Sequence, residues 1–186
     1  MVSTYFFPAA GRRERGVARG APRTAPRATG RTYGLPRAVA DLPAGLLIAT
    51  VEVDATPERV FRALASGEIT RWWARSGVFD TRQWSGDVRP GGHWHASGVA
   101  RGQPYTLEGE FLEVDPPLGL VHTWSAPGSS APATTVAYVL EDATQGTRLT
   151  LRHAGFASRA TCENTAMGWE TSLAELVRML ASDAGG

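Results

Sequence analysis

The sequence predicts an α+β fold, in which a curved antiparallel sheet of about seven strands wraps around a long C-terminal helix and two short helices follow the first strand. One observation is the segment 108–156, where strand-like runs alternate with turns rich in proline, glycine and serine. A second is the segment 161–182, whose apolar residues recur at helical spacing: Ala166, Trp169, Leu173, Leu176, Val177 and Leu180. A helix of this length must lie against another surface, and consecutive hairpins provide one.

One strand and two short helices are predicted to open the domain. Residues 46–54 are rich in β-branched side chains and partly alternate in polarity toward their end, which is typical of a strand. Thr56 is suited to cap a helix, Pro57 to occupy its first position and Gly67 to end it. Apolar residues at helical spacing in 68–74 then predict a second helical turn before the sheet resumes.

Six further strands are predicted from alternating apolar residues and turn signals. They cover residues 78–88, 92–97, 105–115, 120–125, 134–141 and 147–154. Strands joined by short connections pair as antiparallel hairpins, with the helices on one side of the sheet. The last helix is roughly 30 Å long at 1.5 Å per residue, which is enough to cross the sheet.

Composition and charge restrict the class of protein. The chain has 186 residues, of which 42% are hydrophobic and 20% charged, and no apolar run approaches the roughly 20 residues of a membrane span. We therefore expect one globular domain with an appendage, and no membrane partner. The formal net charge of +1 hides an asymmetry, because residues 1–40 hold eight arginines and one acid whereas residues 41–186 hold eleven arginines and seventeen acids.

Residues 1–42 are predicted to form a disordered arm, and residues 43–183 the folded domain. The arm repeats arginine, proline, alanine, glycine and threonine without a helical or strand period, so it cannot bury a core. All nineteen basic residues of the chain are arginine, and a coding background with this bias suggests that the natural start lies downstream. Arginine-rich arms can contact phosphates, but nucleic-acid binding is the less favoured interpretation.

The single cysteine, Cys162, excludes an intrachain disulfide and a cysteine-cluster metal site. A reducing cytoplasm is the simplest location for such a chain. Cys162 lies near the predicted start of the last helix, where we interpret it as a small residue of the first turn.

Several motifs together resemble one known family. They are GEFLEVDPP at 109–117, the strand 120–124, GTRLTL at 146–151, HAGF at 153–156, and Gly168-Trp169 with the leucines that follow. As a set they resemble the activator of heat-shock-protein ATPase homologue-like family, which belongs to the START-like, SRPBCC superfamily. Trp72-Trp73 and Gly91-Gly92 also match the family pattern in position, and the resemblance covers residues 46–182.

The resemblance implies the helix-grip fold and a cavity between sheet and helix, which holds an apolar ligand in many superfamily relatives. We therefore expect a domain that binds a small hydrophobic or aromatic molecule without a cofactor. Two alternatives stay open: a polyketide cyclase-like or aromatase-like enzyme that uses the same cavity, and a cochaperone-like or regulatory interaction module. A chaperone partner is disfavoured, because the arm is too short and too rich in proline and glycine to be the extra N-terminal domain of the eukaryotic cochaperone.

Aromatic side chains are the predicted ligand-binding residues. We expect the lining to be drawn from Phe111, Trp124, Tyr138, Trp169, Trp94 and Trp72. Large flat side chains also fill cores, so about half of them are expected to do only that.

Three titratable side chains are candidates for acid or base chemistry, namely His122, His153 and Glu110. Histidines can act near neutral pH, and a glutamate can do so if burial raises its pKa. No Ser-His-Asp ordering and no glycine-rich phosphate loop accompanies them.

A histidine pair on one predicted strand is a candidate for metal chelation. His93 and His95 point the same way because alternate residues of a strand share a face. The next acid, Glu108, could join them only through pairing of neighbouring strands. We favour two ordinary sheet histidines and predict no metal site.

Overall fold

The structure is a computed structural model that describes residues 35–185. Within this range it contains nine strands and three helices. The strands are β1 (Arg37–Asp41), β2 (Leu46–Val53), β3 (Ala74–Arg75), β4 (Phe79–Gly86), β5 (His93–Ala100), β6 (Gln103–Asp115), β7 (Gly119–Trp124), β8 (Thr134–Asp142) and β9 (Thr147–Ala154), and the helices are α1 (Pro57–Leu64), α2 (Ile69–Trp72) and α3 (Arg159–Asp183). Most of the predicted arm therefore lies outside the described residues.

The strands of the described range form one antiparallel sheet in the order β1-β2-β9-β8-β7-β6-β5-β4-β3. Register shifts interrupt the pairing between Thr81 and Gln83 and between Phe111 and Glu113. Such β-bulges bend a sheet and increase its twist. The curved sheet and the 25-residue α3 confirm the predicted α+β, helix-grip fold.

The sheet has two strands more than predicted. β3 is only two residues long, and β1 lies within the segment assigned to the arm. β1 pairs with β2, and Ala38 and Ala40 pack against the hydrophobic core. The backbone N–H of Ala38 also donates a 2.9 Å hydrogen bond to Glu170 Oε1 of α3. Five residues among arginines and prolines are too few to show a period in the sequence.

Both longer helices begin at side-chain caps. Thr56 Oγ1 accepts a 3.3 Å hydrogen bond from the N–H of Arg59, and Pro57 is the first residue of α1, as predicted. Ser158 Oγ accepts a 3.4 Å hydrogen bond from the N–H of Thr161, so α3 begins at residue 159, two residues before the predicted start. These caps satisfy N–H groups that a helix leaves without an internal partner.

The hydrophobic core lies between the inner face of the sheet and one face of α3. The helix contributes buried apolar side chains, namely Cys162, Trp169, Leu173, Leu176, Met179 and Leu180. On β9 the alternate residues Leu149, Leu151 and His153 are all buried, which is the inward-facing set that the strand period requires. None of the described helices has the length and apolar character needed to cross a membrane.

A cluster of charges ties the end of α3 to the two short helices. Arg59 and Arg71 contact Asp183 at 2.6 Å and 2.7 Å, and Arg59 also contacts Glu68 at 2.8 Å. The hydrogen bonds from Arg71 and Arg59 lower the pKa of Asp183 to about 2. The cluster fixes the C-terminal end of α3 against α1 and α2.

Candidate functional site

A cavity of about 350 Å³ lies between the sheet and the N-terminal half of α3. It is bounded by the segment after α2, strands β4 to β7 and the helix, and its lining residues are Trp73, Val78, Phe79, Ala100, Arg101, Tyr105, Leu107, Trp124, Thr165, Gly168 and Trp169. Small-molecule pockets occupy roughly 300–1,000 Å³, so this cavity suits a compact ligand. Its walls are mostly apolar, as in pockets that bind by excluding water.

Three tryptophans form the floor of the cavity. The rings of Trp73 and Trp169 are nearly parallel, with an interplanar angle of 4° and centroids 6.1 Å apart. Trp124 meets both of them edge to face, at centroid distances of 4.8 Å and 5.5 Å. Rings in such arrangements attract one another beyond their burial, so each holds the others in place. These contacts favour a single arrangement of the three rings.

The cavity extends to the helix because residue 168 has no side chain. A Cβ atom added at Gly168 would meet no heavy atom within 4 Å, so the space in front of this residue is open. Glycine in a helix interior costs about 1 kcal/mol relative to alanine. If this part of the helix only packed against the sheet, a larger residue at position 168 would make the protein more stable.

A short chain of hydrogen bonds fixes the polar part of the wall. Thr81 Oγ1 donates to the carbonyl of Trp73 at 2.6 Å, which uses the single proton of this hydroxyl. The hydroxyl of Tyr105, 2.5 Å away, must therefore donate to Thr81 Oγ1. Burial raises the pKa of Tyr105 and keeps the phenol protonated. Its oxygen can offer the cavity only lone pairs.

Two of the predicted ligand-binding residues, Trp124 and Trp169, line this cavity. The other four, Phe111, Tyr138, Trp94 and Trp72, lie around a smaller void of about 20 Å³, which shares only Trp73 with the cavity lining. A space of that size holds about one water molecule. The indole N–H groups of Trp72 and Trp94 donate to the carbonyls of Ala63 and Thr123, which fits a structural role. The structure does not bring these four side chains to the cavity.

His153 supports the cavity floor from behind. Trp169 Nε1 donates to His153 Nδ1 at 3.1 Å, so the neutral ring carries its proton on Nε2. His153 Nε2 donates to Thr134 Oγ1 at 2.7 Å, and this hydroxyl donates to the carbonyl of Trp124 at 3.2 Å. Burial, with a smaller contribution from His122, lowers the pKa of His153 to about 3. Both ring nitrogens are engaged, and the chain of bonds links the indole of Trp169 to the main chain of Trp124.

His122 lies beside the small void and not in the cavity. Its Nδ1–H donates to the carbonyl of Thr123 at 2.9 Å, and its ring stacks on Tyr138 with centroids 5.9 Å apart. Burial lowers the pKa of His122 to about 4, so the ring is neutral near neutral pH. His122 is therefore a core residue in this structure.

Glu110 lies on the outer face of the sheet, away from the cavity. The alternation of β6 that buries Phe111 turns Glu110 outward. On this face Glu110 is paired with His93, and Glu108 with His95, in a surface depression. Strand pairing thus brings both acids to the histidine pair. Among residues 35–185, however, no group of three or more histidine, cysteine or acidic side chains is arranged to hold a metal ion.

The single cysteine, Cys162, is buried with 1% of its surface exposed. Burial raises the pKa of its thiol. A buried, protonated thiol behaves as a small apolar residue, as its predicted position in the first turn of the helix implies.

Nine of the eleven lining residues were not among the predicted site residues, and five of these nine have large side chains. Trp73, Phe79, Tyr105 and Leu107 belong to short helical or strand segments whose facing depends on the strand register. The fifth, Arg101, was missed because the predicted strands ended at residue 97 and resumed at residue 105, whereas β5 ends at residue 100 and β6 begins at residue 103. Positive backbone φ angles at residues 101 and 102 mark the true turn.

Comparisons with known proteins identify the family and the fold. The family model described as Activator of Hsp90 ATPase homolog 1-like protein matches residues 54–181. Similar solved structures include a protein from Chromobacterium violaceum, with 24% identity, a TM-score of 0.67 and coverage of 73% of this chain and 96% of that one. The AHSA1 protein from Silicibacter pomeroyi has 26% identity, a TM-score of 0.64 and coverage of 74% and 99%.

A protein from Mycobacterium smegmatis has 19% identity, a TM-score of 0.68 and coverage of 82% of this chain and 99% of that one, which shows a shared fold. Among curated proteins, no match was found. The comparisons therefore agree with the sequence motifs on family and fold.

Proposed function

The chain belongs to the Activator of Hsp90 ATPase homolog 1-like family, and from this premise we propose that it binds a small hydrophobic or aromatic molecule in the cavity between the sheet and α3. The observation that carries the proposal is the cavity of about 350 Å³ with its three-tryptophan floor. The lone buried thiol of Cys162 supports a cytoplasmic location.

The cavity is open to the surface, and its walls distinguish it from a packing defect. Protein cores are close-packed and contain few voids larger than a water molecule, and the void around His122 and Tyr138, at about 20 Å³, fits that rule. The larger cavity is bounded by aromatic rings that brace one another and by a hydrogen-bonded tyrosine. Apolar surface held open in this way gains free energy when a ligand displaces its water.

The enzyme alternative finds no support in the candidate residues. His122 lies in the core, His153 has both nitrogens engaged, and Glu110 is on the opposite face of the sheet. A general acid or base must come within hydrogen-bond reach of the substrate, and none of the three lines the cavity. Within residues 35–185, no specific contact favours the interaction-module alternative or a chaperone partner.

Filling the cavity from the helix tests the proposal. The probe is N-phenyl-1-naphthylamine, a neutral aromatic molecule whose fluorescence rises in apolar surroundings. We expect the full chain to bind it saturably, and the variant Gly168→Leu to lose most of this binding, because the new side chain occupies the open space. The variant Gly168→Ala, with one added carbon, should lose less.

The matched control is Asn164→Leu, which adds the same side chain at an exposed position of the same helix. It should bind the probe as the unmodified chain does. Thermal unfolding of each variant shows whether the fold is kept, and a better helix former at residue 168 should keep or raise the melting temperature. Equal probe binding by the folded Gly168→Leu variant and the unmodified chain would overturn the proposal.

A further inference from the structure

We propose that the ligand carries a carboxylate, and that Arg101 at the mouth of the cavity binds it. This inference rests on the proposed function and deepens it, since it names the chemical class of the ligand. The ligand would place its apolar body on the tryptophan floor and its charged group beside the guanidinium. Arg101 would thus select the ligand.

Arg101 is the charged residue of the cavity lining, and it occupies a backbone position that does not favour arginine. β5 and β6 are joined by a two-residue turn, with Ala100 paired to Gln103 and positive φ angles of 50° at Arg101 and 80° at Gly102. Two-residue turns with two positive φ angles prefer Asn-Gly. A side chain other than glycine or asparagine is disfavoured there, because its Cβ atom crowds the backbone at a positive φ angle. The turn itself therefore does not explain the arginine.

The guanidinium of Arg101 has no acidic partner within residues 35–185. It also borders a second depression, of about 420 Å³, that adjoins the mouth of the cavity. This depression contains Arg75, Arg82 and a single acid, Asp80, which contacts Arg82 at 3.0 Å. Positive charge thus exceeds negative charge at the mouth, and such a field attracts anions.

The interior of the cavity does not offer an anion a comparable site. Tyr105 has its proton engaged with Thr81, so it presents only lone pairs. The hydroxyl of Thr165 and the indole rings of the tryptophan floor are uncharged. An ionised group is costly to bury without a charged partner. A carboxylate is therefore expected at the mouth, where the planar fork of an arginine can hold both of its oxygens.

A matched pair of probes tests the inference: 2-naphthoate and 2-naphthamide, which share the aromatic body and differ in charge. Competition with N-phenyl-1-naphthylamine gives both dissociation constants for the full chain at neutral pH. We expect the carboxylate to bind about tenfold more tightly than the amide, as a charge-assisted hydrogen bond at a partly exposed site implies. The preference should shrink as salt is added, because salt screens exposed charges.

The variant Arg101→Asn removes the charge and supplies a residue that the turn prefers, so the fold should be kept. It should bind both probes equally, at the affinity that the unmodified chain shows for the amide, while Arg101→Lys should keep part of the preference. The control is Arg148→Met, which removes an arginine that contacts Glu52 on the surface and should leave the preference intact.

The outcomes separate this inference from the proposed function. Equal binding of the two probes by the unmodified chain, or an unchanged preference in Arg101→Asn, would overturn the carboxylate inference alone. Failure of both probes and of N-phenyl-1-naphthylamine to bind at concentrations up to about 1 mM would overturn the proposed function as well.

Discussion

The two halves of α3 meet the same sheet in different ways. In the N-terminal half, Gly168 faces open space and Trp169 forms part of a cavity floor. In the C-terminal half, Leu173, Leu176 and Leu180 are almost completely buried, with 0%, 0% and 2% of their surfaces exposed. The N-terminal half of α3 therefore borders a cavity and is called the open half. The C-terminal half is close-packed against the same sheet and is called the closed half. The difference shows that side-chain volume at a few positions decides where a helix-grip domain stays open.

Two buried histidines, one behind the cavity floor and one beside the small void, also differ in their hydrogen-bond partners. His153, behind the cavity floor, uses both ring nitrogens to orient Trp169 and, through Thr134, the carbonyl of Trp124. His122, beside the small void, makes one hydrogen bond to the backbone of the adjacent residue. A support with two fixed partners can hold a cavity wall, whereas a stacked ring with one partner fills space.

Acid should destabilise the native protein through both buried histidines, and this is the largest effect that we expect. The pKa values of His122 and His153 are lowered by burial to about 4 and about 3, below the ordinary value of 6.5. The unfolded chain takes up protons below pH 6.5 while the native chain does not, so stability is full above that pH and falls as the pH drops toward 4 and then 3. The full loss is on the order of 3 kcal/mol for His122 and about 5 kcal/mol for His153, because one pKa unit corresponds to about 1.4 kcal/mol.

Urea unfolding between pH 7 and pH 4 measures this loss. We expect the free energy of unfolding to fall by about 1.4 kcal/mol per pH unit for each histidine in the steep part of this range. The variant His122→Phe removes one titrating ring and should roughly halve the slope. A free energy of unfolding that does not change with pH would contradict the neutral, buried state of both rings.

Truncating a leucine in the closed half is the second test. Leu173→Ala should lower the free energy of unfolding by about 2–5 kcal/mol, because it leaves a cavity in a fully packed region. Leu107→Ala, on the wall of the open half, should cost less, since the side chain already borders empty space on one side. Urea denaturation measures the loss in free energy of unfolding for both variants. A larger loss for Leu107→Ala than for Leu173→Ala would contradict the comparison.

The hydrogen-bond chain behind the floor gives a third test. His153→Phe keeps an aromatic ring but leaves the indole N–H of Trp169 without its acceptor, which should cost about 1–3 kcal/mol. The probe N-phenyl-1-naphthylamine should bind this variant several-fold more weakly, because the floor loses its fixed orientation. Loss of stability with unchanged probe affinity would limit His153 to a packing role.

Filling the open half should have the smallest effect on stability, and this effect should be stabilising. Gly168→Ala should raise the free energy of unfolding by about 1 kcal/mol, since alanine is the better helix former and meets no neighbour within 4 Å. Urea denaturation at neutral pH measures the change. A loss of stability would mean that the space before residue 168 is not open.

The sequence predicted the fold well because the signals that build it are local. The cap of α1 at Thr56 and the alternation of β9 follow from spacing along the chain. β1 and β3 were missed because they are short and their pairing depends on strands distant in sequence.

The cavity was harder to predict because its outline depends on several strands at once. Trp124 and Trp169 were predicted, yet Phe111 and Tyr138, which looked equivalent in the sequence, pack around the small void. Which aromatic residue meets open space depends on register across β6 to β9 and on the missing side chain at Gly168. Glu110 could have been placed on the outer face from its alternation with Phe111.

The six tryptophan indole N–H groups offer the most direct measurement of the central claim. Assigned proton–nitrogen correlation spectra, recorded while 2-naphthoate is added, report on each ring separately. We predict that the signals of the three floor tryptophans, Trp73, Trp124 and Trp169, shift with a single dissociation constant. The signals of Trp72, Trp84 and Trp94, around the small void, should move little. Equal shifts in both sets, or shifts confined to the second set, would contradict a binding site in the open half.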